Sequence, residues 1–269
     1  MKKIISTLII VIFSFSLVSF VLAQPNLVPT TVKKAKEPVP VMIPAHAVAI
    51  ADDVFSLGEA RDVDGRLVQG FMFIDRKNEN AKPPWAGGGK GGDTKCYAFL
   101  ANGAKWRTTE PYITGTGVDL ALTETSLNTW DTEVSFNIFG TGATGTTDGA
   151  DTVSPDDKNE VEFENLGATD TIAYTIVWGI FYGPPSRREL VEWDAVFNSD
   201  YAWSLSLSGE AGKMDYQNIA THEFGHAAGM GHPDDSCTEE TMYRFASLGE
   251  TKKRDLNSGD IAGINELYS

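Results

Sequence analysis

The residues best suited to chemistry lie in one short run, His222-Glu223-Phe224-Gly225-His226-Ala227-Ala228-Gly229-Met230-Gly231-His232. The whole chain has four histidines, and this run holds three of them. His222 and His226 are four residues apart, so on a helix their imidazoles stand one above the other on one face. That spacing supplies two nitrogen ligands to a zinc ion. A tetrahedral ion needs its third ligand from another direction, and Gly229 provides the break. Glycine takes a left-handed backbone at no steric cost, so the helix stops and the chain turns. His232 then approaches from the far side. Three protein ligands leave a fourth position for water, which marks a catalytic rather than a structural zinc. Glu223 points about 100° round the helix from His222, too far to join the metal but near enough to reach that water. A carboxylate there takes a proton during attack on a carbonyl and returns it to a leaving amine. The expected chemistry is hydrolysis of peptide bonds, with one catalytic zinc on His222, His226 and His232 and Glu223 as general base. Two blander readings compete: a surface helix that happens to carry two histidines, and a zinc-binding but catalytically dead module. Gly229 and His232 argue against the first, Glu223 against the second.

Particular elements must hold these groups. Asp215 can cap a helix from Tyr216 to about Ala228. Val118 to Trp130 has apolar residues near helical spacing and predicts another helix. Ile172–Phe181 and Leu190–Phe197 are β-rich runs parted by Gly183-Pro184-Pro185, and predict two strands. Ser258 can cap a last helix with Ile261, Ile264 and Leu267 as its buried stripe. Upstream, Val54 to Ile74 predicts a β-hairpin turning at Asp64-Gly65. Strands first and helices later around one site define an α+β domain.

Met1-Lys2-Lys3, an uncharged stretch from Ile4 to Leu22 and a small residue at Ala23 describe an export signal over 1–23. The apolar run is long enough to serve instead as an uncleaved membrane anchor. Residues 24–80 read as a pro-segment or an accessory region, 81–94 as a Pro/Gly-rich linker, and 95–269 as the catalytic domain. The formal charge is −15, and such an acidic surface repels nucleic acid, which leaves proteins or peptides as partners. Composition is silent on oligomeric state.

The histidine run with its glycine, followed by Thr241-Met242-Tyr243, resembles the metzincin signature of zinc helix and Met-turn. Within that group the chain is most similar to the matrixins and their microbial relatives, through Trp130, Glu192 to Asn198, the zinc helix, Met242 and the closing Asp260-Ile261-Ala262-Gly263-Ile264. The resemblance covers roughly residues 95–269. It implies a twisted, mixed five-stranded sheet with about three helices, and Met242 as an apolar floor beneath the metal. It also implies an edge strand within Asp170 to Val177 that takes an extended substrate by β-augmentation. Residues Tyr243 to Arg254 would wall the specificity pocket. The departures matter as well. Val196 stands where a second, structural zinc would find a histidine, and Asn198 and Tyr201 replace calcium-holding carboxylates. Gly259 replaces the acid that receives a mature N-terminal ammonium in the family. Residues 24–94 lack the family's cysteine-bearing latency motif.

Two cysteines in an exported chain, Cys96 and Cys237, predict a disulfide. A second reading makes Cys96 a latency ligand to zinc. Asp148 to Glu164 holds seven carboxylates and one lysine, a composition that suits either a calcium site or a solvated acidic loop. His46 carries no expected role. The alternative function is a non-proteolytic envelope or adhesion protein that keeps zinc for stability.

Overall fold

Asp64-Gly65 reverses the chain between two long strands, with Gly65 in the left-handed region (φ +82°). The computed structural model describes residues 43–77 and 95–269. The export signal expected over 1–23 and the linker over 81–94 lie outside the described residues. In chain order come β1 (Val48–Ala51), β2 (Val54–Arg61) and β3 (Leu67–Lys77). Next are β4 (Ala98–Phe99), β5 (Glu110–Thr114), α1 (Leu120–Asp131), β6 (Phe139–Thr144), β7 (Glu160–Glu164), β8 (Thr171–Ile180) and β9 (Glu189–Asn198). Last come β10 (Trp203–Ser204), β11 (Met214–Asp215), α2 (Tyr216–Ala227), β12 (Met230–Gly231), β13 (Phe245–Ala246) and α3 (Ser258–Tyr268). The α+β class holds. No helix among the described residues is long and apolar enough to cross a membrane.

Among the described residues, nine strands form one mixed sheet in the order β1-β2-β3-β8-β9-β7-β5-β6, with β13 also beside β3. β6, β5, β7 and β9 are mutually parallel, and β8 runs antiparallel to β9. Those five strands are the sheet expected from the sequence, so the expected count is too low by β1, β2, β3 and β13. β8, the expected free edge, is an interior strand, because β3 pairs antiparallel along it from Gln69↔Gly179 to Arg76↔Thr171. The cause is apolar patterning. Val68, Met72 and Ile74 line one face of β3, and laying that strand on β8 buries them against Tyr174, Ile176, Trp178 and Leu57.

The larger core fills the opposite face of the sheet, beneath α1 and α2, around Trp130, Trp193, Phe197, Tyr216 and Phe224. Truncating one such buried aromatic to alanine costs about 3–5 kcal/mol. Their polar ends are satisfied as well. Trp130 Nε1 donates to Thr221 O at 2.8 Å and so ties α1 to α2, while Trp106 Nε1 donates to Ala227 O at 2.8 Å. In α3 the cap is Asn257, one residue before the expected Ser258, because Asn257 and Asp260 form a reciprocal capping box. Ile264 and Leu267 are buried, whereas Ile261 is only half-buried.

Candidate metal centre

α2 begins at Asp215, whose carboxylate accepts from Asn218 N at 3.0 Å and is paired with Arg254. The helix carries His222, Glu223 and His226, all fully buried. Ala228 closes it, and Gly229 then takes φ +101°. A Cβ at Gly229 would lie 2.7 Å from Ala104 O, so both the backbone angle and the space require glycine. β12 pairs with β4 immediately afterwards and fixes the direction in which His232 leaves.

The three imidazoles converge. Their ring centroids are separated by 5.0 Å (His222–His226), 5.3 Å (His222–His232) and 4.7 Å (His226–His232), and Nε2 of His226 lies 3.1 Å from Nε2 of His232. Nδ1 of His222 lies 2.7 Å from Thr241 O, and Nδ1 of His226 lies 2.9 Å from Met230 O. Each Nδ1–H therefore donates to a carbonyl, and the Nε2 lone pairs are turned toward the common centre. Burial pushes all three rings below the usual imidazole range, to about 3 for His226. Neutral imidazole is the ligating form. His222 Nε2 and Glu223 Oε1 are buried with no hydrogen-bond partner, and one ligating atom from each histidine falls within a single 4.8 Å cluster. Such a group fits a zinc ion, whose coordination would satisfy the orphaned nitrogen.

The surroundings hold this group rigidly. Met242 is fully buried, and a Cβ at Gly225 would lie 2.2 Å from its sulfur, so glycine in α2 admits the Met-turn against the helix. Asp260 in α3 clamps that turn, accepting from Thr241 N at 2.7 Å and Met242 N at 3.1 Å. Glu240 accepts from the N–H groups of Gly259 and Asp260 at 3.0 and 3.2 Å, and a Cβ at Gly259 would lie 2.2 Å from Cys96 O. Cys96 and Cys237 are bonded to each other.

Four residues close to the histidines escaped the sequence reading. Thr175 of β8 donates to Glu223 Oε2 at 2.6 Å. The Lys253 side chain is fully buried, its Nζ donating to Tyr243 O. Phe73 and Asp75 reach the site from β3: Phe73 stacks on His226 at 4.3 Å, and Asp75 joins His222 and Glu223 in a second possible ligand cluster. Only β3 carried a usable signal. Alternation puts Asp75 on the same face as Phe71 and Phe73, which sets an acid where an apolar stripe should continue.

The acidic stretch Asp148 to Glu164 behaves in two ways. Lys158 pairs with Asp148 at 2.9 Å and with Asp156. Asp151 and Asp156 also approach Glu192 of β9, whose Oε1 is buried without a partner. Burial, with Asp194 and Asp151 nearby, pushes Glu192 far above the usual carboxylate range. His46 Nε2 lies 2.9 Å from Thr152 O on the same loop.

The three positions read from the sequence as departures from metal-ligating residue types have other partners. Val196 is buried among apolar residues. Asn198 donates to Gly167 O and Thr171 O at 3.1 and 2.9 Å, and Tyr201 donates to Thr169 O at 2.9 Å. Side-chain hydrogen bonds thus close the loop before β8.

Comparison with known proteins agrees with this geometry. A family model described as matrixin matches residues 179–269. Matrilysin of Rattus norvegicus is 27% identical over 184 residues, which cover 65% of this chain and 63% of that protein. Matrilysin of Homo sapiens is 36% identical over 75 residues, 28% of this chain and 26% of the relative. Metalloendoproteinase 2-MMP of Arabidopsis thaliana is 34% identical over 89 residues, 32% of this chain and 22% of its own length. This chain therefore spans less than two thirds of each. The likeness to matrixins is strongest over the C-terminal part of the chain, residues 179–269.

Proposed function

We propose that the chain is an exported zinc-dependent endopeptidase whose zinc is held by His222, His226 and His232. The convergence of three neutral imidazoles on one point beside the Glu223 carboxylate carries this reading. Zinc bound there supplies Lewis-acid polarisation of a substrate carbonyl and an acidified water. Glu223 is the general base: its free Oε1 takes the water's proton and later gives it to the leaving amine. Thr175 fixes the carboxylate through Oε2, and burial within the core keeps bulk water away from it. The expected export signal and the Cys96–Cys237 bond support a destination outside the reducing cytoplasm. Proteins or peptides are the substrate class, with Tyr243 to Arg254 walling the specificity pocket. The zinc fit tells against the alternative of a non-proteolytic module only together with Glu223, so Glu223 is the residue to test. Glu223→Gln should retain zinc and lose peptide hydrolysis. Equal hydrolysis by the variant and the parent would refute the mechanism, and no hydrolysis by either once the N-terminal segment is released would favour the zinc-stabilised alternative.

A bound calcium is the second part of the proposal. The buried, unpartnered Oε1 of Glu192 facing Asp151 and Asp156 supports a cation there.

A further inference from the structure

We propose that Lys253 sets the specificity of the site by taking an acidic side chain, aspartate or glutamate, that the substrate carries beside the cut bond; this rests on the peptidase reading above. The first ground is position. Lys253 lies in a short 3-10 turn, Lys252–Arg254, within the stretch expected to wall the specificity pocket. Its backbone N–H donates to Asn218 Oδ1 at 2.7 Å. Asn218 stands one turn before His222 on α2, so the turn is pinned to the helix that carries the histidines. The side chain then runs inward. Nζ lies 3.4 Å from His222 Nδ1 and donates to the carbonyl of Tyr243, the residue after Met242. An ammonium is thereby set beside the metal centre.

The second ground is charge. Lys253 is fully buried, and a lysine that deep ordinarily has a carboxylate in contact. Here the oxygen that its ammonium reaches is a neutral carbonyl. Burial pushes the ammonium below the usual lysine range, and the carboxylates of Asp75 and Glu250 push it back up. Those two acids act on it from a distance: both oxygens of Asp75 and Oε1 of Glu250 are buried with no hydrogen-bond partner. A cation left in this state favours an anion that can come into contact with it. The geometry gives such an anion a place on the other side of His222. A carboxylate oxygen of Asp75 already stands within 4.8 Å of ligating atoms of His222 and Glu223.

The third ground is the kind of group that is missing. Asn218 Nδ2, on the residue that anchors Lys253, is a second buried donor without a partner. A carboxylate only accepts, so it can answer either donor. An apolar side chain answers neither, and a basic one adds like charge, so both are selected against.

The test uses the full chain, loaded with zinc and nicked within residues 78–94, as wild type, Lys253→Met and Lys253→Arg. Two peptide hydroxamates that differ only in carrying Glu or Leu beside the zinc-binding group are the probes, and calorimetry gives their affinities. A peptide library varied at the residues flanking the cut bond is digested in parallel. Wild type and Lys253→Arg should bind the Glu probe at least about 10-fold more tightly than the Leu probe, a modest ratio for a pocket that pairs a buried charge. Both should cleave beside Asp or Glu. Lys253→Met should reverse the order of the probes with zinc content unchanged. A preference of the wild type for Leu would overturn the assignment, as would an unchanged order in a folded Lys253→Met chain or binding of neither probe. If Lys253→Met folds poorly, the wild-type order and Lys253→Arg carry the test. A probe order that follows Lys253 without hydrolysis of any peptide would leave the specificity standing and count against the peptidase.

Discussion

Thr175 Oγ1 donates to Glu223 Oε2 at 2.6 Å across the gap between β8 and α2. One carboxylate oxygen is therefore fixed, and the other is free to exchange a proton. In released protein, Glu223→Ala should lower peptide hydrolysis by about 10²–10⁴-fold, the usual worth of a positioned base. Zinc content should not change, because the three histidines remain. Thr175→Val should act on kcat more than on KM, since it loosens the base and leaves the substrate strand's partners intact. Steady-state kinetics with elemental analysis on the same samples checks both.

One tightly held zinc per chain is expected. Val196, where a structural zinc would find a histidine, is buried among apolar residues instead. Elemental analysis of dialysed protein should return one zinc, and two would contradict this account.

Calcium should raise Tm through Asp151, Asp156 and Glu192. The Glu192 pKa is raised in the folded chain, so without a cation its ionisation destabilises the fold as pH climbs above the ordinary carboxylate range. Asp194 and Glu160 shift the same way and sharpen the effect, while Lys158 opposes it through Asp148 and Asp156. The calcium-induced rise in Tm should therefore be larger at pH 8 than at pH 5. Glu192→Gln should reduce it, and thermal melts with and without chelator at both pH values measure the difference.

Denatured wild-type protein should show no free thiols by titration. The Cys96–Cys237 bond closes a sequence separation of 141 residues. In the chain-entropy model a loop of that length is worth about 4–5 kcal/mol. Replacing both cysteines by serine should lower the denaturant midpoint without moving the zinc, and an unchanged midpoint would show that the bond adds nothing.

The convergence of the histidine run was legible because three imidazoles, a carboxylate and a glycine fall within one helix and its exit, where short-range geometry decides position. Met242 was legible by its distance from His232 in the resemblance. β8, β9, α1 and α2 were legible from local patterning. Asp75 and Thr175 were not, because both reach the site through sheet pairing. Asp75 faces Ala173 across β3 and β8 only once those strands, far apart in sequence, are in register. The free edge expected at β8 failed for the same reason. No feature of residues 170–177 reveals that residues 67–77 will lie along them. Lys253 was equally hidden, since a lysine after Lys252 reads as surface until its ammonium is found inside.

The disulfide gives the two sides of a cut in residues 78–94 different fates. Everything after Lys95 begins at a residue bonded to Cys237, in the loop between His232 and the Met-turn, so the catalytic part keeps its start in place. The piece ending before the cut keeps backbone ladders, packing, ion pairs and side-chain hydrogen bonds such as that between His46 and Thr152 O, but no disulfide. While the chain is whole, a linked strand meets its groove at an effective concentration that short tethers bring to the millimolar range. After one cut the same strand is a dilute second molecule, and volume alone draws it away.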